Sequence, residues 1–78
     1  MSLNKKNLSM KIQFKNFDLG KKIAKIGDKH YMFISVGHPW NECAAYLSDK
    51  EGNILEEDPV LYRIGASAYS LALEITRW

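Results

Sequence analysis

A chain of 78 residues, 46% hydrophobic and 26% charged, is one globular domain with a modest core, unlike the charge-rich, aromatic-poor chains that stay disordered. Its single cysteine, Cys43, excludes an internal disulfide and makes a reducing cytoplasm the expected location. No charge-free run approaches the ~20 residues of a membrane-spanning helix, and the first twenty positions lack the apolar run of a signal peptide.

Residues 1–9 are polar and basic and read as a flexible lead-in, leaving residues 10–78 as a single α+β domain. Met10, Ile12 and Phe14 alternate with Lys11, Gln13 and Lys15, the period-two pattern of a strand with one wet face. Lys21 to Ile26 and His30 to Val36 flank Gly27-Asp28, which suits a tight hairpin. Gly37-His38-Pro39-Trp40-Asn41 predicts a loop, because proline fixes φ and lacks a donor. Cys43 to Ser48 resumes extended character. Asp49-Lys50-Glu51-Gly52 then predicts a four-residue turn with glycine at its left-handed position, and Asn53 to Glu56 a further short strand.

Asp58-Pro59 resembles a helix start, with Asp58 as N-cap, proline at the first helical position and Glu56 and Glu57 at the positive dipole end. The expectation is one long helix from there to the end, so that the fold is an antiparallel β-meander of four to five strands with a long C-terminal helix across one face. On a 100° wheel Leu61, Ile64, Ala68, Leu71, Ala72, Ile75 and Trp78 form the core stripe, with Tyr62, Tyr69 and Leu73 beside it. The apolar sector is then roughly 220° wide, against ~100° for an ordinary surface helix. The Tyr62/Tyr69/Leu73 flank therefore either closes over the sheet edge, or is covered by residues 1–9, or forms a homodimer or partner surface.

The third strand is apolar on both faces. With Met32, Ile34 and Val36 inside, Tyr31, Phe33 and Tyr46 stand outside near Lys22, an arrangement with the physics of a base-stacking platform; the alternative is cross-strand pairs beside a solvated lysine face. Ribonucleoprotein-type aromatic motifs and the N-terminal helix of a double-stranded-RNA-binding domain are both missing. Trp40, on a proline-stiffened loop, is either a binding anchor or a lid on the core.

Candidates for chemistry are few. His38, Glu42 and Cys43 fit no zinc spacing, and a cysteine opening an apolar strand is expected to be a buried, inert thiol. No phosphate loop or Ser/His/Asp arrangement is present, so no cofactor, metal or catalysis is expected.

Charge is distributed unevenly: eight lysines against two aspartates in positions 1–30 give a net +6, and three basic against seven acidic side chains in the rest give −4. Such a dipole steers partners and is silent about fold. The expected role is a non-catalytic protein-binding module, a stoichiometric inhibitor or regulator of a protein or protein–nucleic-acid complex, bound through Tyr31, Phe33, Trp40, Tyr62, Tyr69 and Leu73. In size and charge character it is comparable to the phage and mobile-element proteins that block host machinery, anti-CRISPR proteins included, although no motif supports that analogy. The alternative is a nucleic-acid binder using Lys11, Lys15, Lys21, Lys22, Lys25 and Lys29.

Overall fold

The computed structural model describes residues 12–37 and 41–78. Phe14–Asp18 (β1), Lys21–Ile26 (β2), Lys29–Val36 (β3), Glu42–Ser48 (β4) and Leu61–Ile64 (β5) form one antiparallel sheet in the order β1-β2-β3-β4-β5. A helix at Ala68–Thr76 (α1) packs on one face, chiefly against β4 and β2. The chain is thus an α+β meander with a C-terminal helix. Among the described residues no helix is long and apolar enough to cross a membrane.

The turns follow their glycines. Ile26 pairs with Lys29 around Gly27-Asp28, and Gly27 takes φ 67°, the positive value a two-residue hairpin demands. After β4, Gly52 adopts φ 92° and Asp49 organises the turn. Its carboxylate accepts from the backbone N–H of Glu51 and Asn53 at 3.0 and 2.8 Å and from Asn53 Nδ2 at 2.9 Å. The side-chain bond from Asn53, joined by these backbone donors, holds the Asp49 carboxyl below its ordinary pKa.

The core lies between sheet and helix. Tyr31 and Phe33 on β3 sit among Ala24, Cys43, Ala45 and Leu61, and α1 covers them with Ala68, Leu71, Ala72 and Ile75. Those four helical positions follow the i, i+3, i+4, i+7 spacing of a buried stripe. Alanines at 24 and 45, the cross-strand partners of Tyr31 and Phe33, leave room for the large rings. Phe14 meets Phe33 edge-on, with centroids 5.6 Å apart and planes at 78°.

The helix is shorter than expected and starts later. Residues 56–60 are non-helical and Leu61–Ile64 is a strand, so Asp58, Glu56 and Glu57 cap no helix. The cap is Ser67, whose hydroxyl accepts from Ser70 N–H while Ser70 Oγ accepts from Ser67 N–H. Tertiary demand explains the change. The outer edge of β4 carries backbone groups that need partners, and Val60 through Ile64 supply them, after which Gly65 at φ 73° ends the strand. Asn53 to Glu56, expected as a strand, contributes a single bridge from Ile54 to Ser48.

Candidate interaction surface

Cross-strand partners share a face, so the register assigns every strand residue to the helix side or to the open side. On the open side run the rows Lys15–Ile23–Met32–Tyr46, Lys21–Ile34–Ala44–Tyr62, Lys25–His30–Ser48 and Val36–Glu42–Ile64. This face divides into two halves of different chemistry.

The half over β1 and β2 is basic and partly roofed. The Asp49–Gly52 turn folds back so that Lys50 and Glu51 share a cleft with Lys15, Phe17, Ile23, Lys25 and His30. The Phe17 ring packs on Gly52, and Ile23 with its cross-strand partner Met32 is buried although no helix covers this side. Lys15, Lys25 and Lys50 border the roofed region, and Lys21 lies on the same face in the row of Ile34.

The half over β3, β4 and β5 is apolar and open. A shallow groove centred on Ala44 is lined by Ile34, Val36, Tyr46, Pro59 and Tyr62, with Glu42 at its rim. Val36 and Ile64 are 50% and 69% exposed, and Tyr62 is 45% exposed. Tyr62 Oη donates to the Glu42 carboxylate. That bond, aided by desolvation and by the negative charge, raises the Tyr62 phenol above its ordinary pKa, since ionisation would lose the donor and add a like charge.

The residues expected to bind a partner are scattered. Tyr31 and Phe33 do not stand on an outer face: they are 6% and 0% exposed, beneath α1, which corrects both the partner-surface and the stacking-platform expectations for them. The branched set Met32, Ile34 and Val36 points to the open side instead. Tyr62 is not on a helix and shares no flank with Tyr69 and Leu73, which belong to α1 on the other side of the sheet. Trp40, Lys11 and residues 1–9 lie outside the described residues. Of the lysines, Lys15, Lys21 and Lys25 share the open face. Lys22 lies instead by Phe14 and Tyr69, and Lys29 by Ile75 and Trp78.

Val36, Ile54 and Ile64 belong to the exposed apolar surface and were missed in sequence. The signal was the alternation Leu61-Tyr62-Arg63-Ile64, which as a strand turns Tyr62 and Ile64 to one face and Leu61 with Arg63 to the other. Glu42 and Cys43, adjacent on β4, point to opposite sides, and Cys43 is buried, with Ser35 Oγ 3.4 Å from its sulfur. Among the described residues no three His, Cys, Asp or Glu side chains come together as metal ligands would.

Among the described residues, both edges of the sheet are blunted against strand addition. Gly65 N–H donates to the Asn41 carbonyl, so by alternation the Tyr62 and Ile64 backbone groups face outward from β5. The Arg63 guanidinium takes up the Tyr62 carbonyl at 2.9 Å and Glu74 at 2.5 Å. On β1 the register shifts between Asn16 and Asp18, an irregularity that interrupts the edge ladder, and Lys15 adds charge.

No protein-family model, curated protein or solved structure matches the chain.

Proposed function

We propose that the protein is a small non-catalytic binding module of the cytoplasm, a stoichiometric inhibitor or regulator that engages a protein partner through the open face of its sheet. The observation that carries this reading is the placement of exposed Val36 and Tyr62 in the Ala44 groove, with exposed Ile64 beside them in the row Val36–Glu42–Ile64, on the half of the face that no element of the described chain covers. Apolar side chains grouped in this way on a small domain gain free energy when a partner removes them from water. A tyrosine held by Glu42 adds a preordered aromatic contact. The neighbouring lysines supply attraction that speeds encounter with an acidic surface. Size and charge polarity match the character of phage and mobile-element proteins that disable host machinery, an analogy without a motif behind it.

Nucleic-acid binding is the second reading, favoured by the grouping of Lys15, Lys21 and Lys25 on one face. Against it, the two rings best suited to stacking are in the core. Fluorescence anisotropy with random DNA and RNA decides between the two. Binding no tighter than tens of micromolar at physiological salt is expected, in keeping with non-specific electrostatics. Submicromolar binding that disappears in a folded Lys15/Lys21/Lys25→Glu variant, with a log–log salt slope near −0.9 per phosphate contact on duplex, would reverse the order. For a partner recovered from the native host, Ile64→Glu should abolish the complex, whereas the lysine variant should mainly slow association.

A further inference from the structure

We infer that the occupant of the apolar half-face is a second copy of this chain, in a two-fold dimer whose axis lies in the plane of contact, parallel to the strands, between β3 and β4. The inference rests on the reading of this face as a protein-docking surface and names what docks there.

Three observations select this arrangement. Both edges are blunted, by Arg63 on the Tyr62 carbonyl and by the irregularity in β1, so association through a continuous sheet is disfavoured and the face remains. The face is also divided electrically. Lys15, Lys21, Lys25 and Lys50 lie toward β1 and β2. Glu42 lies toward β5, and Pro59, which lines the groove, follows directly on Glu56, Glu57 and Asp58. Finally, the choice of axis decides which charges meet. An axis perpendicular to the strands returns each strand to its own copy and sets lysine against lysine. An axis parallel to them carries β2 over β5 and β3 over β4 of the second copy.

In that register the row Lys21–Ile34–Ala44–Tyr62 is read in reverse by its mate. Ile34 covers Ala44 of the second copy, and Lys21 reaches the Tyr62–Glu42 pair of the second copy. Val36 meets the aliphatic stem of the second copy's Glu42. Each contact occurs twice by symmetry. The Glu42 carboxylate, already holding the Tyr62 hydroxyl, thereby acquires a cation without breaking that bond. A foreign partner would reach this face by displacing the second copy.

Sedimentation equilibrium supplies the test, with circular dichroism confirming the fold of each variant. Wild type is expected to dimerise at tens of micromolar or below, and Ile64→Glu to be a folded monomer; should that variant fail to fold, Val36→Lys takes its place. Lys21→Glu alone and Glu42→Lys alone should each weaken the dimer roughly ten-fold, because two symmetry-related pairs are lost together. The combined Lys21→Glu/Glu42→Lys exchange should recover most of the loss. A wild type that remains monomeric at about 200 µM, or a dimer indifferent to Ile64→Glu and not rescued by the exchange, overturns the inference. If wild type is monomeric and Ile64→Glu still abolishes binding of a partner purified from the host, the second copy fails while the docking face stands; if Ile64→Glu changes neither, both readings fail.

Discussion

The ring of Phe17 on β1 occupies the space in which a side chain at Gly52, in the turn after β4, would begin: a Cβ there would lie 2.5 Å from Phe17 Cε1. This contact joins the first strand to the turn that leaves the fourth and roofs Ile23. Gly52 is constrained twice, by the ring and by its φ of 92°. Gly52→Ala should cost about 1–3 kcal/mol in urea unfolding. In a Phe17→Ala background the steric share disappears and the backbone share persists, so the double-mutant cycle should show coupling of at least ~0.5 kcal/mol. Additive costs would mean the ring can step aside.

Phe33 has no exposed surface, with Ala45 beside it on the sheet and Leu71 in the same core cluster. Phe33→Ala should therefore cost about 3–5 kcal/mol, a large share of the stability of so small a domain. Thermal melting followed by circular dichroism checks this, and Phe33→Leu should retain a cooperative transition at lower temperature. A melting point unchanged by Phe33→Ala would contradict the placement of the ring under the helix.

Arg63 and Glu74 are about half exposed, so their pairing contributes at most about 1 kcal/mol. Arg63→Ala should thus barely alter unfolding, yet it uncovers the Tyr62 carbonyl on the edge of β5. Light scattering should then reveal faster aggregation than in wild type or in Glu74→Ala, which leaves the arginine on the edge. Equal aggregation of all three proteins would show that the edge is guarded by something other than Arg63.

The Glu42 carboxylate favours the protonated form of Tyr62. A pKa raised by folding contributes stability that is present below the ordinary phenol value of about 10 and is lost as pH climbs through the folded value. The Tyr62 ring resonances should consequently titrate later than those of an unfolded reference. Glu42→Gln should bring the midpoint back toward the ordinary value, because the hydroxyl then loses its anionic acceptor. An unmoved midpoint in that variant would remove Glu42 as the cause.

What could be read from sequence was whatever local backbone geometry dictates. Gly27-Asp28 and Asp49–Gly52 each impose their turn through one glycine, and the strands between them follow. Two features depended on contacts distant in sequence. Leu61–Ile64 joins the sheet because β4 presents unpaired backbone, a demand no window around residue 61 contains; the unusually wide apolar arc on the helical wheel was the trace of that strand. Which side of β3 the helix would cover was equally hidden, since both sides are apolar. Alanines at positions 24 and 45 settle it, because they make the hollow that Tyr31 and Phe33 fill. With those rings inside, the exposed aromatic ring in the open groove of the opposite face is that of Tyr62.

Every strand pairs with its neighbour in sequence, so the sheet can assemble hairpin by hairpin, with short loops to close up to β4 and a longer connection, residues 49–60, before β5. The helix is different: it must pack back onto β2, more than forty residues earlier in the sequence. A nascent chain emerging from the ribosome can therefore complete all five strands while Tyr31 and Phe33 still lack their cover. The nine residues of α1 close the core last, and the interval before they arrive is the time during which those two rings are available to wrong neighbours.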